Sequence, residues 1–142
     1  MAEIIDPQVR GFLEVARRAH LATADAMAQP LVVPVCYALV DDLLYVPLDS
    51  KPKAVPPTSL KRVRNIVENP YLCLVVDRWD EDWSNLAYVL IWGMGAVTDV
   101  PEEKTQAIAE LRRRYPQYRS MALEGNPLIR IMPYRIKVWG RL

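Results

Sequence analysis

The sequence predicts a mainly β, α+β fold: an antiparallel barrel of about six strands with three flanking helices, in one domain spanning residues 1–142. Two observations carry that expectation. The periodic segments run helix, three strands, helix, two long strands, helix, strand, with hairpin-sized connections and helices at the corners, which suits a barrel better than a doubly wound sheet. The 12 prolines fall mostly between these segments, where they act as punctuation.

Taken in order, Asp6–Pro7 is an N-cap with proline at the first helical position. Val9, Phe12, Leu13 and Ala16 follow at helical spacing, so the first helix should end near Arg18. His20–Thr23 is a short strand and Asp25–Pro30 a turn. Leu31–Val40 is a continuous apolar run returning through Asp41–Asp42 into Leu43–Leu48. Pro34 brings no amide donor to that run, which therefore needs an edge or a bulge there.

A second helix is expected over Ser59–Glu68, with Leu60, Val63 and Val67 inward and Lys61, Arg62, Arg64 and Asn65 on its other faces. Asn69–Pro70 stops it. Tyr71–Val76 and Leu86–Val97 are strands, and Gly93 and Gly95 mark a bulge or a close approach. A third helix opens around Asp99–Pro101 and turns Ala107, Ile108, Leu111 and Tyr115 inward. In the final strand Tyr134, Ile136 and Val138 alternate with Arg135 and Lys137.

A net charge of +1 argues against a protein that coats nucleic acid. No apolar run reaches the length of a membrane span. The first six residues lack the pattern of a signal peptide. Cys36 and Cys73 lie in apolar runs without metal-ligand spacing and read as free thiols in a reducing cytoplasm. No zinc spacing, nucleophile elbow or phosphate-binding glycine loop occurs, and the acids of Asp77–Asp82 do not fit a calcium loop, so no metal is expected.

Against that balanced background, Ser50–Asn65 carries five cations (Lys51, Lys53, Lys61, Arg62, Arg64) and no acid. It leads into the second helix, whose first amides are unpaired and whose dipole favours anions. A phosphate-bearing ligand is the expected partner.

The pieces "HLATAD" (His20–Asp25), "VVPVCYALVDD" (Val32–Asp42), "LKRVRNIVENP" (Leu60–Pro70), "VDRWDEDW" (Val76–Trp83) and "RIKVWGRL" (Arg135–Leu142) resemble the pyridoxamine 5′-phosphate oxidase-like split-barrel superfamily, and within it the branch of deazaflavin (F-420)-dependent enzymes. The third piece is the most specific. The resemblance implies a split β-barrel homodimer with cofactor at the subunit interface. It implies phosphate-gripping cations at Lys61 and Arg62, and a loop along the cofactor's phosphate and ribityl chain that carries Lys51 and Lys53. Val33, Pro34, Val35 and Tyr37 would line the ring, as would the neighbouring Val46–Ser50, with Asp49 and Ser50 at its end. From the residues themselves, Trp79 or Trp83 suits the cover of a flat ring, and Trp139 suits either a ligand contact or dimer packing.

F-420 is preferred over FMN, because the cations exceed what one phosphate needs. The implied activity is hydride transfer to a small conjugated acceptor; a non-catalytic FMN or haem carrier is the alternative. The proton would come from solvent or a nearby tyrosine, with Tyr37 and Tyr88 candidates by composition alone. The chain lacks the Arg–His pair that true pyridoxamine phosphate oxidases carry near their C-terminus, and its one histidine is His20.

Overall fold

The computed structural model describes residues 4–48 and 56–142. Three helices are present: α1 (Pro7–Val15), α2 (Lys61–Glu68) and α3 (Pro101–Arg114). Seven strands, β1 (Ala19–Ala24), β2 (Pro30–Val35), β3 (Ala38–Val40), β4 (Leu43–Pro47), β5 (Tyr71–Arg78), β6 (Ala87–Thr98) and β7 (Leu128–Gly140), form one antiparallel sheet. Their order is β2-β1-β5-β6-β7-β4-β3. No helix among the described residues is long and apolar enough to cross a membrane.

The sheet curls so that its two ends share one core. Leu21 and Val35 from one end and Leu44 and Val46 from the other belong to the same buried cluster, with Phe12 and Leu13 of α1 and Ile66 of α2. A second cluster joins α3 to β3 and β4 through Ala107, Leu111, Tyr115, Ala38 and Tyr45. No ladder joins β2 to β3 or β4 among the described residues, so the barrel is split along that seam.

Local chemistry explains the boundaries. Asp6 caps α1 by accepting from the Val9 amide at 2.8 Å. The expected run Leu31–Val40 is two strands, because side chains claim the backbone between them. Tyr37 N–H donates to the Tyr115 hydroxyl at 3.2 Å, and its carbonyl accepts from Arg114 Nε at 2.9 Å. Hence there are seven strands rather than about six. Pro34 lies on edge strand β2, where its missing donor costs no ladder bond. The β3–β4 hairpin turns through Asp41 at φ 53°.

Two helix expectations are corrected. The first helix stops at Val15, with Ala16 already extended, which frees Arg17 and Arg18 from it. The second begins at Lys61, after a 3-10 turn at Pro57–Ser59. Its inward face carries Val63, Asn65 and Ile66, while Val67 is 74% exposed. Asn65 buries because its Nδ2 donates to Thr23 Oγ1 on β1 at 3.0 Å.

The glycines of β6 have separate reasons. The β6–β7 register shifts between Trp92 and Gly93, a bulge. At Gly95 an added Cβ would stand 2.6 Å from Leu72 Cδ2 and 3.2 Å from Ile66 Cγ2, so α2 packs on the sheet only because no side chain is there.

Candidate functional site

A cavity of about 280 Å³ opens at the seam of the barrel. Pro34 and Val35 of β2 form one wall, Val46 and Pro47 of β4 the other, and Cys36 and Tyr118 close it. Among the described residues, three cations, Arg17, Arg18 and Arg62, line it, and no acid does.

The rotation of α2 selects which of its cations reaches the cavity. Successive residues of a helix are about 100° apart, so Arg62 shares the inward side with Asn65 and Ile66. Lys61 points away and donates to Asp25 Oδ2 at 3.3 Å. Asp25 also accepts from the amides of Gln29 and Met27, and these bonds together with Lys61 hold its carboxyl below the ordinary range. Arg64 is exposed. No side chain caps the N-terminus of α2, which leaves that end suited to an anion.

Arg17 is fixed from below. Its guanidinium donates to the Arg114 carbonyl and lies 4.6 Å from the centre of the Tyr115 ring. Arg114 is itself buried. It donates to the carbonyls of Tyr37, Glu14 and Ala16 at 2.8–2.9 Å and pairs with the Glu14 carboxylate at 3.2 Å. Burial would raise the Glu14 carboxyl, but its bond from Arg113 and the charges of Arg114 and Arg113 outweigh that and lower it. These bonds tie the end of α3 to both linkers that wall the cavity, residues 16–18 and 36–37. Arg18 and Arg62 have no hydrogen-bond or ion-pair partner among the described residues.

Other hollows differ in electrostatics. Beside α3, a cavity of about 500 Å³ contains Lys104 and Arg112, but Asp99 neutralises the first at 2.7 Å and Glu124 the second at 2.5 Å. An apolar groove of about 480 Å³ lies between α1 and Leu142. Of these three, only the seam cavity combines uncompensated positive charge with apolar walls.

Of the residues singled out in the sequence, Pro34, Val35 and Arg62 meet in this cavity. Val33 packs against the core instead, and Lys61 is turned to Asp25. Tyr37 is wholly buried, with its hydroxyl donating to the Leu13 carbonyl at 2.6 Å. Burial raises its phenol far above the ordinary value, so in this arrangement the hydroxyl is committed to the core. Trp83 and Trp139 are exposed and do not line the cavity of their own chain; Trp139 stacks on Tyr88 at 5.6 Å. Asp49, Ser50, Lys51 and Lys53 lie outside the described residues.

Arg17, Arg18, Cys36, Val46, Pro47 and Tyr118 complete the lining. Val46 and Pro47 fall within the neighbouring strand that the resemblance indicated. The arginine pair is hidden in the sequence because the helical spacing of Val9, Phe12, Leu13 and Ala16 runs past the true end of α1. The signal was the doublet immediately ahead of a strand.

In the middle of the sheet, with β1 on one side and β4 on the other separating it from the seam, the outer face of β5, β6 and β7 carries exposed side chains. Register sets Tyr71, Met94 and Met132 in one row, Cys73, Trp92 and Arg135 in the next, and Asp77, Tyr88 and Trp139 further along. Arg135 lies 4.6 Å over the Trp92 ring, and Tyr71 meets Tyr134 edge-on at 6.4 Å.

The sequence pattern of the pyridoxamine 5′-phosphate oxidase family matches residues 5–140. Among solved structures, the chain is similar to the conserved hypothetical protein Rv2991 of Mycobacterium tuberculosis, at 18% identity and TM-score 0.77, covering 99% of this chain and 89% of that one. It is similar to HutZ, a heme storage protein of Vibrio cholerae, at 15% identity and TM-score 0.72, covering 96% and 94%. A FAD-binding protein of Mesorhizobium loti matches at 25% identity and TM-score 0.67, covering 91% and 89%. A comparison with curated proteins finds no match.

Proposed function

The chain belongs to the pyridoxamine 5′-phosphate oxidase family, and from that premise we propose that it is a deazaflavin- or flavin-dependent oxidoreductase, with F-420 preferred over FMN. It passes a hydride between the bound cofactor and a small conjugated acceptor. The observation carrying this reading is the seam cavity, where three arginines and, among the described residues, no acid stand between apolar strand walls.

The residues fit such a cofactor. Arg62 and the uncapped amides of α2 suit a phosphate. Pro34, Val35, Val46 and Pro47 offer a dry surface to a flat ring. When bound, the cofactor supplies the hydride chemistry itself. The chain's part is to grip the anionic end, orient the ring and exclude water. The preference for F-420 rests on charge: Arg17 and Arg18 add to Arg62, more cations than one phosphate monoester needs.

The site is completed by a second copy of the chain. A cavity of about 280 Å³ lies below the roughly 300–1,000 Å³ typical of ligand pockets. The exposed apolar face of β5–β7 offers the matching surface for a homodimer, and Trp83 and Trp139 are available to the partner's cavity. The reducing cytoplasm is the proposed location, in keeping with free Cys36 and Cys73.

A second reading, a non-catalytic flavin or haem carrier, draws on the likeness to HutZ and on Cys36 in the cavity wall. Titration with F-420 and FMN, followed by turnover of the reduced cofactor with quinone and enone acceptors, separates the two. Micromolar binding with turnover supports the oxidoreductase. Binding without turnover supports the carrier, and FMN binding with no F-420 binding overturns the cofactor preference.

A further inference from the structure

Arg17 and Arg18 enter the seam cavity from the linker between α1 and β1, a different element from the one that carries Arg62. The two are not equivalent. Arg17 is held in one orientation by the Tyr115 ring and its bond to the Arg114 carbonyl, and the Tyr115 hydroxyl donates to Arg17's own carbonyl at 3.0 Å. Arg18 has no partner among the described residues. Ordering a long cationic side chain costs rotamer entropy, and here the buried end of α3 has already imposed that order on Arg17. A preset guanidinium fork beside a free cation is suited to an oxyanion that accepts two parallel N–H bonds.

We propose that Arg17 and Arg18 form a second oxyanion subsite, separate from the phosphate position at Arg62, that holds a carboxylate or a further phosphate of the bound assembly. This rests on the cofactor reading above and extends it: the ligands must carry two anionic groups in this cavity. Two sources have that chemistry, the cofactor's own acidic tail beyond its first phosphate and an acidic acceptor.

The test uses Arg17→Met/Arg18→Met, Arg62→Met and Arg17→Lys/Arg18→Lys, each checked for an unchanged thermal midpoint. Inorganic phosphate is titrated into the protein and followed by phosphorus NMR. Two sites are expected in the unaltered chain. The methionine pair should lose one and keep the site at Arg62, Arg62→Met should do the reverse, and the lysine pair should keep both. A single site in the unaltered chain, or two sites indifferent to the methionine pair, overturns the subsite. This readout needs no redox cofactor, so failure of both F-420 and FMN to bind would sink the cofactor reading separately.

The source is then assigned by comparing F-420 with the same cofactor stripped of its acidic tail, and a carboxylate acceptor with its methyl ester. A loss of about tenfold in the intact cofactor's advantage, the scale of one or two charge-assisted hydrogen bonds, assigns the tail. An equal rise in KM for the carboxylate at constant kcat assigns the acceptor. If the methionine pair moves neither ratio, the proposal is overturned.

Discussion

Asn65 Nδ2 donates to Thr23 Oγ1 at 3.0 Å across a buried contact between α2 and β1. That bond fixes the rotation of a helix whose pattern of Leu60, Val63 and Val67 suggested another inward face. With Asn65 inside, Arg62 comes to the cavity and Val67 goes to solvent.

Asn65→Ala should therefore cost about 1–2 kcal/mol of stability, the scale of a lost buried hydrogen bond, and should weaken cofactor binding by loosening the helix that carries Arg62. Asn65→Asp gives a sharper test. A carboxylate at this wholly buried position is penalised by desolvation, so its folded pKa rises above the unfolded value of about 3.9. The protein should be least destabilised below that value and lose stability as pH rises through the raised folded pKa. Thermal midpoints between pH 4 and 8, compared with Asn65→Ala, read this directly; equal pH profiles for the two variants would contradict it.

Lys61 and Arg62 are adjacent in sequence and unequal in consequence. Lys61 pairs with Asp25 at 3.3 Å on the surface, a kind of contact that solvent screens and that adds little to stability. Arg62 lines the cavity with no partner among the described residues. Arg62→Met should weaken FMN or F-420 binding about tenfold or more, the scale of a lost charge-assisted bond, and leave stability nearly unchanged. Lys61→Met should alter binding much less. Calorimetric titration of both variants decides the order, and a larger binding loss at Lys61 would reverse the assignment.

Arg114 is a stability residue rather than a ligand contact. Replacing it by Met strands the carbonyls of Tyr37, Glu14 and Ala16 and leaves Glu14 without one partner. Each buried carbonyl left without its donor costs about 1–3 kcal/mol, so Arg114→Met should unfold at much lower denaturant. Arg113→Met removes exposed pairs to Glu14 and Glu110 and should cost under about 1 kcal/mol. Urea melts of the two variants give the contrast.

The Arg112–Glu124 pair predicts an acid response. The bond from Arg112 is the largest cause holding the Glu124 carboxyl down at about 2, from an ordinary 4.5. A depressed carboxylate stabilises the fold above its unfolded pKa, and that contribution fades as pH falls through the folded value. The thermal midpoint should thus drop between about pH 4.5 and 2, and the Glu124→Gln chain should show a shallower drop over that window. Parallel slopes would mean the pair contributes nothing, as its exposure allows.

Much of the fold was legible because the strands and helices follow burial periods, and the edge position demanded by Pro34 and the bulge beside Gly93 came from single residues. What stayed hidden depended on partners distant in sequence. The break at Cys36–Tyr37 is made by Arg114 and Tyr115, more than seventy residues away. The rotation of α2 is set by Thr23, which no helical pattern contains. Arg17 and Arg18 were masked by the helical spacing that continues through Ala16, past the true end of α1. Arg62 was legible as a local cation, but its separation from Lys61 was not.

The uncovered sheet gives the remaining prediction. Met94 sits between Tyr71 and Met132 in the register, and all three are exposed on the outer face of the sheet's middle strands. A stable interface buries about 1,200–2,000 Å² in total, and the Tyr71–Met94–Met132 row, with Trp92 and Trp139 in the rows beyond it, is suited to form its centre. Light scattering should find a dimer at micromolar concentration. Met132→Asp places a charge within that surface, where desolvation without a partner is costly; it should give monomers and weaken cofactor binding, whereas Arg62→Met should weaken binding and stay dimeric. A monomeric unaltered chain would remove the homodimer from the proposal. If Met132→Asp became monomeric yet bound cofactor as before, the cavity of one chain would be a complete site, and the partner's contribution would be discarded.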